Sequence, residues 1–152
     1  MVGVFCGYGK LFPTSYFYTD TETDGQMKYT TIKEHHLFGK TFQRGARWSG
    51  RYVSVFVLRD YAAKRLAKEN PTKRFYNRFG VSVSKKVGGA VERNRAKRIL
   101  RAGYRAVEPE LNTGYLVVVT PREGIGEAKS TDIERELRKG FAKLGMFRRE
   151  TV

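Results

Sequence analysis

Cysteine is nearly absent from the chain. Cys6 is the only one in 152 residues, so no internal disulfide can form, and neither CxxC nor any other paired spacing exists for a zinc site. A reducing, cytoplasmic setting is the expectation. Long apolar runs are missing too: residues 1–12 are apolar in places, but glycines and Lys10 interrupt them and no basic segment opens them. That stretch is too short to span a bilayer, which predicts neither a secretion signal nor a membrane anchor. Histidine is limited to His35 and His36. Neighbours on a helix point about 100° apart, a poor basis for a metal pair or an acid–base dyad. The phosphate-loop pattern GxxxxGK[ST] does not occur, because Lys85 and Lys86 precede Gly88-Gly89 instead of following them. These absences predict no catalytic residue, no metal ligand and no small-molecule substrate in the protein itself.

Acidic residues are also scarce. Fifteen Asp and Glu face thirty Lys and Arg, a formal charge of +15, so the folded surface must carry a positive potential that attracts polyanions. Nucleic acid is the leading partner class for such a domain. With 40% hydrophobic residues the chain can bury one sizeable core, and its length favours a single domain with appendages. The first 26 residues differ from the rest. They hold one lysine against three acids, a net charge of −2, which leaves +17 on the remaining 126. Residues 19–26 (TDTETDGQ) read as an exposed linker. The expected division is therefore an N-terminal appendage over 1–26, either disordered or a start-site artefact, and a single nucleic-acid-binding domain over 27–152.

In residues 33–44 the apolar positions Leu37, Phe38, Thr41 and Phe42 lie on one helical face, and Gly45 supplies a stop. Residues 52–58 (YVSVFVL) and 79–84 (FGVSVS) read as strands. The stretch 60–77 reads as a long connection with a helix-prone part ending at Asn70-Pro71. Residues 90–107 have helical periodicity, and 115–120 (YLVVVT) form a continuous apolar run suited to a buried central strand. Ser130-Thr131 with Glu134 offers a capping box for a last helix whose inner face is Ile133, Leu137, Phe141 and Leu144. This order predicts a sheet covered by helices, α+β or α/β in class.

The densest chemical signal is residues 85–105, with eight basic residues and one acid, Glu92. On a helix, Arg93, Asn94, Lys97, Arg98, Arg101 and Arg105 fall in one arc about 140° wide, with Ala96, Ile99, Leu100, Ala106 and Val107 opposite. Arg95 falls outside the arc. Solvated helix faces usually mix signs; here like charges repeat at 93, 97, 101 and 105, which costs stability unless a polyanion neutralises them. Phosphate is the natural partner. The glycine pair would let backbone N–H groups at the helix start approach a further phosphate.

Two stretches resemble the protein component of bacterial ribonuclease P. One is Gly80-Val81-Ser82-Val83-Ser84-Lys85-Lys86, then Ala90-Val91, then Arg93-Asn94-Arg95 with Lys97-Arg98 and Arg101; the other is Phe38-Gly39-Lys40-Thr41-Phe42-Gln43-Arg44-Gly45. The resemblance implies an α-β sandwich with a four-stranded mixed sheet, α+β in class, whose arginine-rich helix makes a left-handed βαβ crossover. It also implies a function. Arg93, Asn94, Arg95, Lys97, Arg98, Arg101 and Arg105, with Lys85 and Lys86, would bind RNA; Phe38, Phe42 and Phe56 would line a cleft for the single-stranded 5′ leader of precursor tRNA. Partners would be the catalytic RNA and precursor tRNA, with cleavage belonging to that RNA and its Mg²⁺ ions. Read from the residues alone, each of the three phenylalanines fits a core position better than a contact. Three departures from the family are the extra 26 residues, the long 60–77 connection and Gly103 inside the basic helix, for which packing against the sheet is the expected reason. The rival reading is a ribosomal or assembly protein that coats structured RNA. A DNA-binding helix-turn-helix fits less well, since no helix closely precedes the basic one.

Overall fold

The computed structural model describes residues 4–6, 10–12, 30–69 and 77–149. The linker expected over 19–26 lies outside them. At the front, β1 (Val4–Cys6) and β2 (Lys10–Phe12) pair antiparallel. The main sheet is mixed, in the order β3-β6-β7-β5-β4. Its body is four strands, β4 (Ala46–Ser49), β5 (Val53–Arg59), β6 (Arg78–Val81) and β7 (Tyr115–Pro121), extended at one edge by the two-residue β3 (Thr30–Thr31). β4 and β5 are antiparallel, as are β5 and β7, whereas β6 runs parallel to both β7 and β3.

Period-2 alternation decides which helix covers which face. Val53, Val55, Val117 and Val119 point to the side of α3 (Ala90–Val107) and α4 (Ser130–Lys143), where they join Phe79, Leu100, Tyr104, Leu137 and Phe141 in the larger core. The Tyr104 and Phe79 rings are stacked, their centroids 3.9 Å apart. Phe56, Leu116 and Val118 point the other way and pack with Ile32, Leu37 and Phe38 beneath α1 (His35–Arg44). β7 is central because its run can be buried on both faces, and Leu116 to Val119 are at most 2% exposed. Its last residue is Pro121, opposite Val53, so the expected stop is the final strand position.

α1 ends where its sequence predicts. The Gly45 N–H donates to Thr41 O at 2.9 Å, and a Cβ there would collide with that carbonyl and lie 3.0 Å from Val57 O. Only glycine lets the chain turn so tightly into β4. That strand is absent from the sequence reading, since ARWS carries one half-buried residue and no clear alternation. The turn after it is held from the far side of the sheet: Glu136 of α4 accepts from the backbone N–H groups of Arg51, of Tyr52 at 2.9 Å and of Val53 at 3.1 Å.

Four expectations are corrected by the structure. α4 is capped by Lys129, whose N–H donates to Asp132 Oδ2 at 3.1 Å, and not by the box expected from Ser130-Thr131 with Glu134. The shorter Asp132 side chain reaches back over one turn, while Glu134 accepts two bonds from Arg138 instead. Gly103 meets α4, not the sheet: a Cβ would stand 2.9 Å from Ile133 Cγ2 and 3.2 Å from Glu134 N. Ala106, placed on the apolar side by periodicity, is exposed near the end of α3, where Tyr104 and Val107 take the buried positions on either side of it. The second strand is shorter than 79–84, because after Val81 only the Ser82 N–H still bonds to β7, at Val119 O.

The long connection after β5 contains α2 (Ala63–Glu69). Its remainder, 70–76, lies outside the described residues. Asp60 roots this segment. Its carboxylate takes the Ala62 N–H at 3.0 Å and receives a two-pronged bond from Arg78, Nε at 2.6 Å and Nη2 at 2.8 Å. Arg78 Nη1 also lies 3.9 Å from Glu34, the residue before α1.

Candidate nucleic-acid interface

α3 starts from a tight lead-in. Ser84 Oγ accepts from the Lys86 N–H at 3.3 Å and opens a single 3-10 turn over Lys85–Val87. Gly88 follows with φ of 139°, a conformation that L side chains rarely adopt, so the lysine turn can feed the helix only through glycine. Gly89 is the N-cap, and its carbonyl accepts from both the Arg93 N–H at 3.1 Å and Arg93 Nε at 3.3 Å. The helix start is not open to a phosphate without competition: the Glu92 carboxylate folds back over it, within 3.0 Å of where a Gly89 Cβ would be. An acid in the first turn also favours the helix dipole.

The cationic arc lies on the side of α3 away from the core. Asn94, Arg98 and Arg105 are exposed and Arg93, Lys97 and Arg101 half-buried, while Ala96, Leu100, Gly103, Tyr104 and Val107 are buried. Arg95 stands apart, as its sequence position predicts. It is exposed, and its Nη1 donates to Gly126 O in the loop before α4. Lys85 and Lys86 are exposed at the end of the sheet where α3 begins.

On the opposite face the strand registers set out a floor beside α1. Arg47 pairs with Phe56 and Phe56 with Val118, forming one row; Ser49 pairs with Ser54 and Ser54 with Thr120, forming the next. The three predicted phenylalanines sit at different depths. Phe38 is 1% exposed, its ring filling the space over Gly80, where a Cβ would stand 2.6 Å from Phe38 Cζ. Phe56 is 6% exposed and meets the edge of Phe42, with ring centroids 4.8 Å apart and planes at 82°. Phe42 is half-buried, and the Arg47 guanidinium lies 5.6 Å from the Phe56 centroid. Phe42, Phe56 and Arg47 thus make an aromatic margin with a cation over it. Beyond it the hydroxyls of Ser49, Ser54 and Thr120 share one face, Ser49 and Ser54 within 3.1 Å of each other.

Past these hydroxyls lies a pocket of about 330 Å³ lined by Arg51, Ser84, Lys86, Arg122 and Glu123 among others. Three cations against one carboxylate make it an anion-attracting hollow. Arg122 is fixed by donating from Nη1 to Gly50 O at 2.7 Å, and Arg51 belongs to the turn that Glu136 holds. Sequence reading finds Lys86 here but not Arg51, Ser84 or Arg122 as one group, which the pairing of β7 with both β5 and β6 brings together. His35 and His36 are exposed on α1, with His36 Nε2 3.7 Å from Glu34. Among the described residues no helix is long and apolar enough to cross a membrane.

A sequence model of the ribonuclease P family matches residues 27–145. The chain belongs to the ribonuclease P protein family. The ribonuclease P protein component of Clostridium acetobutylicum is 31% identical over 120 residues, which cover 79% of this chain and 92% of that protein. That of Natranaerobius thermophilus is 31% identical over 122 residues, covering 80% and 96%. Among solved structures, the fold is similar to the RNase P protein of Staphylococcus aureus, with a TM-score of 0.61 at 24% identity over 78% of this chain and 97% of that one. It is also similar to that of Thermotoga maritima, with a TM-score of 0.58 at 22% identity over 72% and 92%. Both likenesses concern the fold. Family membership associates the chain with ribonuclease P, with tRNA processing and with RNA binding. The ribonuclease P match takes in α1, the sheet, α3 and α4, and the two short strands at the front lie before it.

Proposed function

We propose that this chain is the RNA-binding subunit of ribonuclease P, holding a catalytic RNA along α3 and the single-stranded 5′ leader of precursor tRNA in the cleft beside α1. The observation that carries this reading is the one-signed arc of Arg93, Lys97, Arg98, Arg101 and Arg105, which faces away from the core and starts beside the lysine pair. Planar guanidinium groups suit phosphate oxygens, and repeated like charge at i, i+4 is stabilised by a polyanion. The cleft suits an unpaired strand, because bases stack on accessible aromatic rings beside positive charge. Half-buried Phe42 supplies the aromatic and exposed Arg47 the charge, with buried Phe56 packed beneath them, and the basic pocket lies beyond. In this reading phosphodiester hydrolysis belongs to the RNA and its Mg²⁺. Among the described residues no group of three His, Cys, Asp or Glu stands together as a metal site.

Leader preference tests the cleft. The assembled enzyme should bind precursor tRNA with a leader of several nucleotides more tightly than mature tRNA. A Phe42→Leu variant should lose part of that ratio, up to the ~1–3 kcal/mol that one stacked base contributes. Leucine keeps most of the apolar volume against Phe56, so the thermal melt should move little. An unchanged ratio in the folded variant would leave Phe42 as packing only.

A further inference from the structure

The hairpin that joins β4 to β5 closes on itself, since the Gly50 N–H donates to Val53 O at 2.8 Å. Glu136 then adds bonds that closure does not need. From α4, across the sheet from α1, its carboxylate accepts from three successive backbone N–H groups, those of Arg51, Tyr52 and Val53. Successive N–H groups that converge form a hollow for an anion, and here a side chain of the same protein fills it. The hairpin is also gripped from the residue after β7. The Arg122 N–H donates to Tyr52 O and Arg122 Nη1 to Gly50 O, each at 2.7 Å.

These bonds hold two cations in place. The Arg51 guanidinium lies 5.3 Å from the ring centroid of its neighbour Tyr52, over the aromatic face. Arg122 is tied by its own side chain. Both are exposed, and both line the basic pocket with Lys86. Glu136 does not line it, so it acts on the pocket only through the turn. Long cationic side chains lose freedom when they bind, about two- to tenfold in affinity for each one immobilised, and a turn that fixes them beforehand removes part of that loss.

We infer that Glu136 is a positioning residue for the leader: by fixing the turn over residues 50–53 it presets Arg51 and Arg122 to take one phosphate of the single strand that leaves the Phe42 margin. The inference rests on the reading that the cleft beside α1 holds that strand. A strand whose base stacks on Phe42 crosses the uncharged row of Ser49, Ser54 and Thr120 before it meets these cations. The pocket begins just past that row, at Pro121 and Ser84. A hollow of about 330 Å³ suits one phosphate group, not the broad, shallow face of an RNA helix.

The test measures, with assembled enzyme, the ratio of affinities for leader-bearing and mature tRNA in four proteins: the parent, Glu136→Ala, Arg51→Ala/Arg122→Ala, and all three substitutions together. Alanine suits α4, so the helix should hold. The expected result is a ratio lowered about two- to tenfold by Glu136→Ala, with mature tRNA and the catalytic RNA bound as before. In the protein lacking both arginines the same change should lower the ratio no further, the non-additivity of residues that act through one another. A structural brace alone would not show that dependence. An unchanged ratio in folded Glu136→Ala, an equal loss with and without the arginines, or weaker binding of the catalytic RNA in place of the leader overturns the inference. If the arginine pair itself leaves the ratio unchanged, the pocket lies off the leader's path and only this inference falls. A parent with no preference for the leader sinks the cleft reading and this inference with it. Should Glu136→Ala melt below the assay temperature, Glu136→Gln, which offers the N–H groups one acceptor oxygen in place of two, is read instead.

Discussion

Replacing Arg93 and Arg98 together by alanine should lower the salt slope for catalytic RNA by about two units and weaken binding about tenfold or more at physiological salt. The size follows from counterion release: every phosphate that an arginine no longer neutralises takes nearly one unit off the slope, and two arginines on the exposed arc neutralise two phosphates. Folding should survive. Arg98 is exposed and Arg93 half-buried, and alanine is the best helix former. Arg93 gives up only a 3.3 Å bond to Gly89 O, which the Arg93 backbone N–H also reaches. Filter binding at four or five salt concentrations, with a thermal melt of the free protein, measures both quantities. A double variant that binds with the parent's affinity and slope would make the arc a passive solvated face.

Arg78→Ala should be the most damaging single substitution considered, costing about 3–5 kcal/mol because it strands a buried carboxylate. The Asp60 side chain is 4% exposed and that of Arg78 11%, and the two-pronged bond is the means by which the Asp60 charge is tolerated there. For a domain of this size the cost corresponds to roughly 10–20 °C in Tm. The same change frees the root of α2 and removes the ion pair with Glu34 ahead of α1. A paired Asp60→Asn/Arg78→Met variant should recover much of the loss, since the penalty arises from the unpaired charge and not from the missing pair. A loss below about 1 kcal/mol for Arg78→Ala would mean that the pair is solvated like a surface salt bridge.

What the sequence discloses, and what it does not, follows from the range of the interactions involved. α3 spans Ala90–Val107, the bounds its periodicity predicts, and its cationic arc faces outward because Ala96, Leu100, Tyr104 and Val107 anchor the opposite side. β7 and the inner face of α4 are equally legible, since a buried apolar run and a 3.6-residue stripe are local patterns. β4 is not, because a four-residue edge strand takes its conformation from pairing with β5. The cap of α4 escapes for a similar reason: both Glu134 and Asp132 are available by spacing, and Arg138 engages Glu134. The phenylalanine cluster beside α1 is legible in composition but not in depth. Phe38 and Phe42 lie one turn apart on one face, yet Gly80 opens a space that Phe38 fills completely, while Phe42 reaches the margin. Arg51, Ser84 and Arg122 come from three separate connections, and no local pattern joins them.

If this protein serves a catalytic RNA in releasing the 5′ leader of precursor tRNA, leader release must depend on both macromolecules. The most direct measurement combines purified protein, candidate catalytic RNA and 5′-extended precursor tRNA at limiting Mg²⁺ and follows leader release in the full mixture, with RNA alone and with protein alone. The predicted result is little cleavage by the RNA alone, none by the protein alone, and a clear increase when the two are combined. Equal leader release by the RNA with and without the protein, or cleavage by RNA-free protein that its own substitutions abolish, would contradict it.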